Sequence, residues 1–184
     1  MLRISIFLRK IRVFEIEFYV YRFRGRKMIT STSNQQMKSV SALLKKAKER
    51  KNTKTFVVEG PRMVVEASID ALKAVYVAES FENNKENTNL LGELKDKCNK
   101  ANAIYEVVTD NVFKSVSDTQ TPQGIMAVVA MPSYSLSELL NGNNTHLLIL
   151  ESIQDPGNLG TMVRTGEGAG VTGIIMNKTT VDLF

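Results

Sequence analysis

The sequence predicts an α/β protein, and three observations carry that expectation. Residues 55–59 (TFVVE) read as a buried strand and run through Gly60 into Pro61, at the first turn of a helix over residues 61–68. Residues 147–150 (LLIL) are apolar at every position, as in an interior strand of a parallel sheet covered on both faces. Strand-like and helix-like runs alternate along the rest of the chain, and no internal repeat is visible.

Behind a Ser33/Asn34 cap, Met37, Val40, Leu43, Leu44 and Ala47 recur at helical spacing, which predicts one helix to about residue 50. After the first strand-turn-helix unit come a strand over 74–77, a polar loop rich in Asn and Glu, a helix over 89–101, a strand over 104–108 and a short helix from Asp110. The turn signal TQTPQG (119–124) precedes a strand over 125–130. These elements make a first α/β domain, residues 28–133. Residues 134–144 are a linker with a short helix over 136–140, closed by the breaker 141–144 (NGNN). A second α/β unit, residues 145–184, begins with the LLIL strand. It continues through a helix with the apolar stripe Leu159, Met162, Val163 and Gly166 into a strand over 172–176. Two strands and one helix cannot cover a parallel sheet on both faces, so this unit is expected to be incomplete.

Charge is unevenly placed. Residues 1–27 hold eight Lys/Arg against two carboxylates, a local +6 that exceeds the +5 of the whole chain, so the remainder carries −1. The basic balance therefore does not by itself argue for a nucleic-acid partner. Composition breaks at Met28, and we expect translation to begin there, with residues 1–27 a doubtful extension. A signal peptide is not expected because Arg9, Lys10 and Arg12 interrupt the apolar run; the Arg count leaves a mitochondrial presequence open, against which Glu15, Glu17 and the scarcity of Ser argue. Over residues 38–54, Lys38, Lys45, Lys46, Lys48, Arg50, Lys51 and Lys54 face Glu49 alone. That strip is either a solvated helix face or a phosphate-binding surface.

A single cysteine, Cys98, and a single histidine, His146, exclude a disulfide framework, a CxxC zinc pair and an HExxH centre. No metal is expected, and both residues are expected to pack. No run reaches the ~18 apolar residues of a membrane helix. A soluble, cytoplasmic protein is expected.

The stretch that carries chemistry is residues 151–171, ESIQDPGNLGTMVRTGEGAGV. Asp155, Pro156, Gly157 and Asn158 make a tight turn into a helix, whose first backbone N–H groups would suit a phosphate or sugar oxygen. Gly157, Gly160 and Arg164 fall on one face, opposite the apolar stripe, which puts the guanidinium above bare backbone. Spacing alone favours the plainer reading, a surface arginine on an ordinary helix behind a Pro-Gly turn. Gly168, Gly170 and Gly173 match GxGxxG, but they follow a helix and enter a strand, the reverse of a dinucleotide site, and are expected to end the helix.

Residues 153–160 (IQDPGNLG), with Arg164-Thr165, Ala169-Gly170-Val171, Gly173-Ile174-Ile175 and residues 180–184 (TVDLF), closely resemble the first motif of the SpoU (TrmH-like) RNA 2′-O-methyltransferases of the SPOUT superfamily. Residues 56–62 (FVVEGPR) and 121–124 (TPQG) resemble landmarks of that family's L30e-like substrate-binding domain. The resemblance spans residues 30–184. It implies an L30e-like domain at 28–133 followed by the first part of a knotted SPOUT methyltransferase domain, without the knot-forming part.

It further implies transfer of methyl from S-adenosylmethionine to a ribose 2′-hydroxyl of RNA, ribosomal before transfer RNA, by a protein that is a homodimer when whole. By motif, Arg164 is the catalytic arginine and Asn158 its partner at the helix entrance. A guanidinium is very hard to deprotonate, so a cationic role is favoured, holding phosphate and easing the developing alkoxide. Lys45, Lys46, Arg50 and Arg62 are the expected RNA contacts. The family's donor-binding motifs lie further along, so no residue here is assigned to the donor, and the 184-residue chain is expected to be inactive. A non-catalytic RNA-binding module and a nonfunctional gene remnant are the alternatives.

Overall fold

The computed structural model describes residues 28–141 and 144–182; the doubtful extension 1–27, part of the breaker, and residues 183–184 lie outside them. Four strands form the first sheet: β1 (Thr55–Glu59), β2 (Leu72–Ala78), β3 (Ile104–Val108) and β4 (Ile125–Ala130). Their order is β1-β4-β2-β3, antiparallel except for the parallel β2–β3 pair. Ile29 bridges to Val108 in parallel and so extends the β3 edge.

Strand alternation decides which helices cover which face. Ala74, Tyr76 and Ala78 of β2 and Met126 of β4 pack under α1 (Gln35–Lys45) and α6 (Asp110–Val116) through Met37, Val40, Val112, Phe113 and Val116. Val75, Val77, Ile125, Ala127 and Val129 point the other way. They meet Val64 of α3 (Pro61–Glu66) and Leu91, Leu94 and Cys98 of α5 (Thr88–Lys100). Leu72 joins this second cluster although its parity belongs to the first. The register shift between Leu72 and Ala74 inserts Lys73 as a bulge and turns Leu72 over. Burial, and secondarily the charge of Glu106, pushes the Tyr76 phenol up to about 12, so it stays neutral inside the first cluster.

The expected single helix over 33–50 is two. α1 stops at Lys45, Lys46 turns extended, and α2 (Ala47–Thr53) starts again. Asn34 caps α1 by accepting from the Gln36 and Met37 N–H groups. The polar loop after β2 also carries structure, a short α4 (Glu79–Asn83) and a 3-10 turn over Lys85–Asn87. Cys98 packs in the core as expected, whereas His146 is exposed and joins the edge of the second sheet through its backbone.

After the linker helix α7 (Leu136–Leu140), capped by Ser135 and Glu138 acting on each other's backbone, a second sheet holds β5 (Leu147–Leu150) and β6 (Gly173–Met176) in parallel. Between them runs α8 (Pro156–Gly168), which buries Leu159 and Gly166. Met162, expected in that stripe, is exposed. Ile149 is 72% exposed: one helix covers one face of β5, and among the described residues its alternate face is open. No helix among the described residues is long and apolar enough to cross a membrane.

Candidate functional site

The start of α8 is built by Asp155. Its Oδ1 accepts the Asn158 N–H at 2.7 Å, and Pro156 fills the first helical position, where no N–H is needed. Gly157 leaves room for that cap, since a Cβ there would lie 3.1 Å from Asp155 Oδ1. The expected site for a phosphate or sugar oxygen on the first helix N–H groups is thus narrowed: Asp155 already takes the Asn158 N–H, and its carboxylate sets like charge against a phosphate.

What α8 offers an anion is Arg164. Its exposed guanidinium donates from Nη2 to Thr161 Oγ1 at 3.2 Å, and its Nη1 lies 3.4 Å from where a Cβ on Gly160 would stand. Thr161 in turn donates to the Gly157 carbonyl at 2.9 Å. The cation thus lies along the bare-backbone face. Asn158 is exposed in the first turn and makes no hydrogen bond to Arg164 among the described residues. The decoy glycines have other duties. Gly170, at φ +77, ends α8 with its N–H on the Glu167 carbonyl and Val171 N–H on the Gly166 carbonyl, and a Cβ on Gly173 would strike Leu139 and Leu147.

The loop that delivers α8 is fastened to the segment after β6, a feature spacing did not reveal. Ser152, at φ +55, donates its N–H to Asn177 Oδ1 (3.0 Å), and its hydroxyl meets that of Thr179 (2.8 Å). Gln154 Nε2 donates to the Thr179 carbonyl (2.7 Å) and Val181 N–H to the Ile153 carbonyl (2.8 Å).

The four basic residues expected on RNA are not brought together. Lys45 and Lys46 are exposed and, with Lys38, Ser41 and Ser115, line a groove of about 380 Å³ between α1 and α6. No carboxylate lines that groove, and none of the three lysines has an ion pair among the described residues. Arg62 is 89% exposed but stands on α3, on the opposite face of the sheet, and pairs with Glu66 at 3.1 Å. Arg50 is turned inward. Its Nη1 donates to the Leu43 and Leu44 carbonyls (2.8 and 3.3 Å) and its Nη2 to Asp182 at 2.8 Å. In this position protein engages both terminal nitrogens, Nε is buried without a hydrogen-bond partner among the described residues, and the group is not presented to a phosphate.

The two landmark runs of the first half meet at Glu59, which accepts from Ser117 Oγ (2.6 Å), Thr119 Oγ1 (3.0 Å) and the Gln123 N–H (3.1 Å). They are a staple that holds the 117–124 loop to the end of β1. Beside α8, Pro132, Tyr134, Leu139, Val163, Ile174 and Met176 line an apolar groove of about 530 Å³. Its lining holds no carboxylate to meet a sulfonium or a ribose diol, so this groove by itself offers S-adenosylmethionine no charged anchor.

This mixed α/β fold, a four-stranded sheet unit followed by a parallel strand pair joined by a helix, matches that of solved SpoU methyltransferase structures. Residues 34–127 match the family model for the MRM3-like substrate binding domain. The chain belongs to the SpoU family of RNA methyltransferases. It is 34% identical over 160 residues to the 23S rRNA (guanosine(2553)-2′-O)-methyltransferase RlmP of Bacillus subtilis, covering 86% of this chain and 57% of that protein. The crystal structure of AdoMet-bound rRNA methyltransferase from Sinorhizobium meliloti superimposes with a TM-score of 0.72 at 26% identity, over 86% of this chain and 57% of that one. The SpoU methyltransferase AviRb from Streptomyces viridochromogenes shares the fold, with a TM-score of 0.62 at 18% identity over 82% and 54% of the two chains. The chain thus spans little more than half the length of these relatives.

Proposed function

We propose that this chain supplies the RNA-holding part of an S-adenosylmethionine-dependent ribosomal RNA 2′-O-methyltransferase, together with Asn158 and Arg164, the groups that face the ribose. The observation that carries this is Arg164, an exposed guanidinium lying over Gly160 and steadied by Thr161. Bare backbone lets a sugar-phosphate approach closely, and a planar cation can hold a phosphate through two N–H groups. The same positive charge lowers the cost of developing an alkoxide on the neighbouring 2′-oxygen. Asn158 offers an amide in the first turn that can orient the sugar. The donor supplies the methyl group; no step is assigned to residues that would hold it.

A second reading, a non-catalytic RNA-binding module, is favoured by one observation: the lysine groove is built wholly from α1, α6 and residues beside them. Binding of a ribosomal RNA fragment by the 184-residue chain distinguishes the two. On the methyltransferase reading, Arg164→Ala weakens binding about fivefold, as expected for one lost phosphate contact at moderate salt, and Arg164→Lys recovers only part of it. Equal affinity for the parent and Arg164→Ala would favour the module. On this reading the 184-residue chain transfers no labelled methyl by itself, and transfer by that chain would overturn the view that its described residues lack a donor site.

A further inference from the structure

Arg50 stands at a break in the first helical layer. The extended backbone at Lys46 ends α1, and the Leu43 and Leu44 carbonyls take their hydrogen bonds from Arg50 Nη1. A cation at a helix C-terminus is favourably placed, and this one is well covered, its side chain only 12% exposed. Its remaining charge is met from 132 residues away by Asp182, itself 25% exposed. Asp182 belongs to the segment that is fastened to the loop before α8 through Ser152, Ile153 and Gln154. A continuous chain of contacts therefore runs from the α1–α2 break through Arg50, Asp182 and residues 177–181 to the Asp155 cap of the arginine helix.

We infer that Arg50 and Asp182 are positioning residues. Their ion pair latches the second unit onto the first and so sets Arg164 in a fixed relation to the lysine groove. The inference rests on the function proposed above, in which one RNA must reach both the lysines and Arg164. Arg50 is one of the four residues whose charge the sequence assigned to RNA; the geometry gives that charge to the protein's own interdomain contact.

Asp182 is the side to vary, because Arg50 also caps α1 and its loss would damage the first half directly. In the 184-residue chain, Asp182→Ala is expected to speed hydrogen exchange at the Ser152 and Val181 amides about tenfold and to raise protease cleavage within residues 132–146. Amides of β2 and β4 stay as slow as in the parent. Asp182→Glu restores most of the protection, since it keeps the charge. Unchanged exchange and cleavage in Asp182→Ala would overturn the latch. So would a general acceleration that includes β2 and β4, or a failure of Asp182→Glu to rescue. Titrating the same proteins with a ribosomal RNA fragment separates the two claims: no RNA binding by any of them sinks the proposed function and leaves the exchange result intact.

Discussion

Replacing Lys38, Lys45 and Lys46 together by glutamine lowers the affinity for a ribosomal RNA fragment about 100-fold at about 0.1 M monovalent salt, the expected loss for three phosphate contacts. Each such contact contributes roughly 0.7 to 0.9 to the dependence of log affinity on log salt, so the slope falls by about 2. The three lysines line one groove with Ser41 and Ser115, no carboxylate lies among them, and none has an ion pair among the described residues, so their charge is available to a ligand. A control removes equal charge elsewhere: Lys73, Lys85 and Lys100 are exposed but lie outside that groove. If binding rests on local contacts, this second triple variant costs less than about threefold at the same salt, where charges beyond about 10 Å are screened. Equal losses from both triples, measured by filter binding across a salt series, would show that net charge and not the groove holds the RNA.

Gly124→Ala destabilises the first half by about 3 kcal/mol, combining a left-handed backbone imposed on a side chain with a steric clash. Gly124 has φ +78, and a Cβ there would stand 2.9 Å from Phe81 Cβ, a group anchored at the start of its side chain and unable to swing away. The backbone cannot shift to relieve it either. Gly124 lends its carbonyl to the Ala78 N–H, and the preceding Gln123 N–H is held by Glu59. Thermal unfolding should drop by roughly 15 °C on the scale of a domain of about 100 residues. Gly92 is the matched control: it lies in α5, is exposed, and an added Cβ meets nothing within 4 Å. Gly92→Ala should stabilise by about 0.5–1 kcal/mol through helix propensity. A melting temperature for Gly124→Ala within a few degrees of the parent would mean the 117–124 loop is not pinned as drawn.

Much of the site was legible because its signals are local. Asp155-Pro156-Gly157 announces a helix start, Gly170 a helix end, and the i, i+3, i+7 placement of Gly157, Gly160 and Arg164 needs only the helical repeat to put the cation over bare backbone. Reading Asp155 as part of a turn and not as the cap left the helix N–H groups looking free when one was already bonded. The basic strip shows the limit of the same logic. Helical periodicity placed Lys45, Lys46 and Arg50 along one run, but the break at Lys46 changed the phase and sent Arg50 inward.

The residues of this chain by themselves determined the alternation of strands and helices, the family resemblance and the choice of Arg164 and Asn158 as site candidates, because each depends on neighbours within a turn or a motif. The tertiary structure alone decided that α1 and α3 lie on opposite faces, that Lys73 bulges and turns Leu72 over, and that Arg50 meets Asp182. Those outcomes depend on strand register and on contacts as much as 132 residues apart, where the nearest available charge and the best burial, not local spacing, choose the partner.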